Sequence, residues 1–270
     1  KHYLKVLGDR PVDGLDLSAV RFIFNGAEPI SVELCEEFLT RLAPARLART
    51  AMFPVYGLAE ASLAVSFPAV GAPLRTIALN RHNMSAGSAV QLVSAADRDA
   101  VQLVSEGRAI PYCRVRIADD ADRELPPDRI GHVHISGENV TSGYYEDPQT
   151  NAASFTADGW LRTGDIAVAQ SNGFLRIVDR KKDLIIVSGF KVFPNEIEAV
   201  LDEHPAVLEC GCIGVADARS GQAVKVFVVI RPGFAVTAAE LHEHCRQRLT
   251  AYKVPKLIEF RESLPKTNVG

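Results

Sequence analysis

The chain has 270 residues, 47% of them hydrophobic, enough to bury a core in one or two domains. Its 30 basic and 33 acidic side chains leave a net charge of −3 with no polybasic block, which argues against nucleic acid or an anionic membrane surface as a partner. No apolar run reaches membrane-spanning length and the opening KHYLKVLGDRP lacks a secretory pattern, so no transmembrane segment and a cytoplasmic location are expected.

In chain order, VRFIF reads as a buried strand that breaks at Asn25-Gly26-Ala27-Glu28-Pro29. Ser31 is placed to cap a helix whose apolar face includes Leu34, Phe38, Leu39 and Leu42. A strand, a small-residue turn and a helix make an α/β unit, and ligands collect beyond the carboxyl ends of such strands. TAMFPVY, residues 50–56, reads as another strand, followed by Gly57-Leu58-Ala59-Glu60-Ala61-Ser62. Tyr56 is able to stack on a base. Glu60 either favours a helix start or offers a hard oxygen to magnesium.

From Pro73 to Val178 the texture becomes short alternating strands. AVQLVS occurs at 89–94 and again at 100–105 and reads as a strand pair. GHVHISGENVTSGYY follows at 131–145. Asp158-Gly159-Trp160-Leu161-Arg162-Thr163-Gly164-Asp165 reads as a tight turn presenting a carboxylate that can accept hydrogen bonds from vicinal hydroxyls. DRKKDLIIVSGFKVFPNEIE, residues 179–198, reads as a charged joint, a hairpin turning at Ser188-Gly189, and a helix opened by Pro194-Asn195, with Asn195 and Glu198 spaced as a reciprocal cap. Thr237 and Glu240 form a second capping box. The cysteines (Cys35, Cys113, Cys210, Cys212 and Cys245) are odd in number. Alternation sets Cys210 and Cys212 on one strand face, and no second Cys/His pair at metal spacing joins them, so reduced thiols fit better than a metal site.

NGAEP, YGLAE, GW-x-x-TGD, the 179–198 stretch, Tyr252-Lys253-Val254-Pro255 and Leu264-Pro265-Lys266-Thr267 together resemble adenylate-forming enzymes: acyl-CoA synthetases and acyl-AMP ligases. The resemblance implies a partial adenylate-forming fold, α/β plus a small β-barrel followed by an α+β C-terminal domain. Residues 1–180 would be part of the large AMP-binding domain (α/β piece 1–72, barrel piece 73–180), and 181–270 the small mobile domain. It implies an adenine-pocket turn at Gly26, Ala27, Glu28 and Pro29, and an aromatic residue packing on adenine at Tyr56, beside Gly57. It implies magnesium on Glu60, ribose on Asp165, and ribose and phosphate on Arg180, with Glu60 and Arg180 as the catalytic pair. It further implies a hinge at Lys182 and a thiol-step loop at Gly189.

The expected activity is ATP-dependent activation of a carboxylic acid, fatty or otherwise hydrophobic, to acyl-AMP, then transfer to CoA. The cofactors implied are ATP, Mg2+ and CoA or carrier-protein phosphopantetheine. One alternative is a fatty acyl-AMP ligase loading an acyl carrier protein; another is a non-catalytic nucleotide- or acyl-adenylate-binding module. The family's Ser/Thr/Gly phosphate loop is not recognisable in residues 1–24, and its adenylation lysine would follow Gly270, so the chain is expected to be a fragment that is inactive by itself.

Overall fold

The computed structural model describes residues 2–8, 10–27, 30–84 and 87–265. Contacts divide the chain into two compact units, Lys1–Ala95 with Ala100–Val178, and Asp179–Gly270 with Ala96–Asp99.

The first unit opens with α1 (His2–Leu7), β1 (Ile23–Asn25), α2 (Val32–Leu42) and β2 (Met52–Pro54). The Ser31 hydroxyl accepts from the Leu34 amide at 3.1 Å, so α2 starts where its cap residue predicts. Cys35, Leu39 and Leu42 of α2 pack with Ala45, Leu47 and Met52 in one apolar cluster. β1 and β2 run parallel, pairing Asn25 with Pro54, and both end at segments singled out from sequence.

Next come β3 (Ser66–Phe67), β4 (Thr76–Asn80), β5 (Ala100–Val104), β6 (Arg108–Ala109), β7 (Cys113–Ala118), β8 (Ile130–Gly137), α3 (Pro148–Ser154), β9 (Leu161–Ala169) and β10 (Leu175–Arg180). Among the described residues the strands form an open four-stranded sheet, β10-β9-β8-β7, with two-stranded sheets β3-β6 and β4-β5, rather than a closed barrel. The two AVQLVS copies do not pair with each other. β5 is antiparallel to β4, and the first copy meets β4 from the other side at Leu79↔Leu92. The apolar, alternating TIALN strand offers both copies a partner that the polar AADRD link does not.

The second unit contains β11 (Ile185–Val187), β12 (Phe190–Val192), α4 (Pro194–Asp202), β13 (Val207–Asp217), β14 (Gly221–Ile230), α5 (Ala238–Arg246) and β15 (Leu257–Phe260). Its five-stranded sheet has the order β12-β11-β14-β13, with β15 parallel to β14. Ile197, Val200 and Leu201 of α4 and Leu241 and Cys245 of α5 pack on Val226 and Val228 of that sheet. Full burial of such side chains is worth roughly 1.5–3 kcal/mol each. The Thr237–Glu240 capping box is formed.

The expected Asn195–Glu198 cap is not. α4 starts at Pro194 with Phe193, not Asn195, as its N-cap and no capping bond from the Phe193 side chain, and the Glu198 carboxylate accepts from the Cys212 amide at 2.7 Å. Asp179, outside the helix, supplies an acceptor to the first turn, taking the Asn195 amide at 3.4 Å. Four of the cysteines are buried, Cys210 is half-buried, and all five are free thiols. No group of three His, Cys, Asp or Glu among the described residues is arranged to hold a metal. None of the described helices is long and apolar enough to cross a membrane.

Candidate nucleotide site

In the first unit, the turn after β1 and the loop after β2 meet. The Val55 amide donates to Asn25 O at 2.8 Å, and a side chain at Gly26 would strike Val55 O, its Cβ lying 2.6 Å away. Gly26 is therefore fixed by the approach of two strand ends. Ala27 takes a left-handed φ of 70°. Glu28 and Pro29 lie outside the described residues.

Residues 57–65 form a closed loop. Its ends are pinned by the Tyr56–Ser66 bridge, and Gly57 lies against its far side: a Cβ there would sit 1.5 Å from Leu63 O. Only glycine fits that approach. Ser62 and Leu63 have φ of 49° and 74°, conformations held by Asn139, which donates to Ala61 O at 3.1 Å and Ala64 O at 2.7 Å. Glu60 stands in the 3-10 turn Ala59–Ala61, half-buried. Its backbone oxygen accepts from the Thr141 amide, and its Oε1 accepts from the Tyr144 hydroxyl, both at 2.7 Å. That hydrogen bond is the main cause raising the Tyr144 phenol above its ordinary pKa.

Asp165 is not on a turn but inside β9. His132 pairs with Ile166 and His134 with Arg162, so residues 163–165 oppose Val133 alone. This is a bulge, made possible by Gly164 at φ 80° and stitched by Thr163, whose hydroxyl donates to Val133 O at 3.0 Å and accepts from the Asp165 amide at 3.1 Å. The bulge aims the Asp165 carboxylate at Tyr56, whose hydroxyl donates to Oδ2 at 2.6 Å. Both side chains are nearly enclosed, at 7% and 4% exposure. Two residues singled out separately from sequence, 109 positions apart, are thus directly bonded.

In the second unit, Arg180 ends β10 and is exposed, and Lys182 stands in the exposed 3-10 turn Lys181–Asp183. Ser188 and Gly189, at φ 51° and 84°, make the two-residue left-handed turn that suits the twist of the β11–β12 hairpin. Asp179 escaped notice as a functional group. It is buried, Oδ1 accepting from the Arg180 amide at 2.7 Å. Burial first, then Glu198 and Asp183, push its carboxyl up to about 7. Tyr144 escaped too: nothing local in the turn marks a partner 84 residues away.

Two family models match this chain: AMP-binding enzyme over residues 2–145, and AMP-binding enzyme C-terminal domain over residues 196–270. A long-chain-fatty-acid–CoA ligase of Escherichia coli O6:H1 is 37% identical over 265 residues, covering 98% of this chain and 41% of that protein. The chain therefore spans well under half the length of that relative. Among solved structures, one described as structural and functional studies of fatty acyl-adenylate ligases from E. coli and L. pneumophila has a TM-score of 0.80 at 26% identity, covering 97% of this chain and 47% of that one. ATP-bound MatB from Rhodopseudomonas palustris has a TM-score of 0.73 at 27% identity, covering 93% and 43%.

Proposed function

The chain belongs to the AMP-binding enzyme family, and from that premise we propose that the protein containing it activates a long-chain fatty acid as its acyl-adenylate and passes the acyl group to CoA. A carboxylate oxygen attacks the α-phosphorus of ATP and pyrophosphate leaves. The CoA thiol then attacks the acyl carbonyl and AMP leaves. The observation that carries this reading is the Tyr56–Asp165 pair at the end of the Glu60 loop. An enclosed carboxylate whose Oδ2 is held by a phenol is preorganised to accept the ribose hydroxyls. Tyr56, Gly57, Gly26 and Ala27 form the adenine side of that site.

Glu60 suits a magnesium ion that travels with the nucleotide: a hard carboxylate oxygen, with Oε1 tied and Oε2 accepting no hydrogen bond among the described residues. No group of three His, Cys, Asp or Glu among the described residues is arranged to hold a metal, so phosphate oxygens and water would complete its shell. When bound, the ion would offset charge developing on the phosphates. Arg180, exposed at the end of β10, is a cationic group suited to ribose and phosphate. Lys182 serves as the hinge, and the Gly189 turn forms the loop used in the thiol step.

The relative from E. coli named as a long-chain-fatty-acid–CoA ligase supports the choice of acid and thiol. The test is product analysis by mass spectrometry. The full-length protein with ATP, magnesium and a long-chain fatty acid should accumulate acyl-AMP, and added CoA should convert it to acyl-CoA. Failure to form acyl-AMP would overturn the reading. Release only onto a carrier-protein phosphopantetheine would overturn the choice of acceptor.

A further inference from the structure

The turn that follows β8, residues 138–145, has no part in the chemistry described so far, yet it is laced to the Glu60 loop by five hydrogen bonds. Asn139 donates to Ala61 O and Ala64 O. Ser62 donates to Asn139 O at 3.1 Å. The Thr141 amide and the Tyr144 hydroxyl take the Glu60 backbone oxygen and Oε1, each at 2.7 Å. The turn is itself braced. Thr141 bonds Gly143, and Asn151 of α3 holds both the amide and the carbonyl of Tyr144 at 2.7 and 2.8 Å.

A glutamate on a short 3-10 turn has three side-chain torsions to fix, and a half-buried position leaves them loosely determined. Here one carboxylate oxygen is fixed by a phenol carried on an independently anchored turn. We propose that Tyr144 is a positioning residue for Glu60, holding Oε1 so that Oε2 is presented to the cation that accompanies the nucleotide. This rests on the reading of Glu60 given above. Tyr144 acts through Glu60 and touches neither reactant.

The test compares Tyr144→Phe, Glu60→Gln and the double variant in the full-length protein, each checked for folding by circular dichroism. Affinity is measured by calorimetry for ATP with magnesium and for ATP with EDTA, and the two half-reactions are timed separately. Loss of one hydrogen bond to a carboxylate predicts that Tyr144→Phe weakens magnesium-ATP binding about tenfold. Binding of metal-free ATP and thiol transfer from preformed acyl-AMP should be unchanged, and Tyr144→Phe should add nothing in the Glu60→Gln background. If Glu60→Gln weakens magnesium-ATP binding and Tyr144→Phe does not, or if the two effects add, the positioning role is wrong while the reading of Glu60 stands. If Glu60→Gln itself leaves magnesium-ATP binding intact, the reading of Glu60 falls and the role of Tyr144 falls with it.

Discussion

The Tyr56–Asp165 bond is a charge-assisted contact at 2.6 Å between two enclosed groups, so its loss leaves a buried carboxylate oxygen with one partner fewer. Tyr56→Phe is expected to destabilise the protein by about 1–3 kcal/mol, read as a lower midpoint in chemical denaturation. A double cycle with Asp165→Asn should show strong coupling, whereas independent, additive effects would contradict the bonded pair. The two residues were legible because TGD and YGLAE are compact motifs, but their environment was not. Thr-Gly-Asp reads locally as a turn. Only the pairing of β9 with β8 makes it a bulge, and that register depends on residues about thirty positions earlier. Tyr144 was illegible for the same reason: a phenol in a glycine-rich turn looks solvated until its acceptor is brought to it.

At the scale of elements, α4 is held by two acidic side chains doing different work. Asp179 takes the Asn195 amide of its first turn, and Glu196 meets Lys253 at 2.7 and 2.8 Å, both ends buried. Removing one member of a buried ion pair strands the other charge. Lys253→Met should therefore cost about 3–5 kcal/mol, while Glu196→Leu with Lys253→Met should restore much of that loss. Urea denaturation followed on both variants checks it, and a single variant no worse than the double would sink the argument. The hairpin at Ser188-Gly189 and the Thr237 capping box were readable because their signals are complete within a few residues. The start of α4 was misread because its acceptor comes from Asp179, outside the helix. The AVQLVS copies misled similarly, since a repeated strand sequence does not specify its partner, and β4 supplied one to each.

Over the whole molecule, three buried groups set opposite pH trends. Burial raises the Glu106 carboxyl to about 8, its hydrogen bond from the Ile177 amide opposing only part of the shift, and Asp179 stands at about 7. A carboxyl raised on folding contributes stability that is complete below its ordinary value near 4 and is lost as pH rises through the folded value. His134, lowered to about 4 chiefly by burial, works the other way: its contribution is complete above about 6.5 and is lost as pH falls toward 4. Above pH 6.5 only the two carboxyl losses remain of these three, with a slope of about 1.4 kcal/mol per pH unit for each group until its own pKa is passed. Thermal unfolding should therefore show stability falling from pH 6.5 to 8, and Glu106→Gln should flatten the fall. An equally steep fall in that variant would show that Glu106 is not its source.

The Asp165 bulge and the Glu60 loop are the proposed nucleotide site, and making an acyl-adenylate is its proposed use. Fatty-acid-dependent exchange of pyrophosphate into ATP, measured on the full-length protein and on its Asp165→Ala variant, tests that proposal most directly. Robust exchange is expected for the parent, with the nucleotide concentration for half-maximal rate raised about ten- to a hundredfold in the variant. Exchange with unchanged nucleotide dependence in a folded Asp165→Ala protein would contradict it.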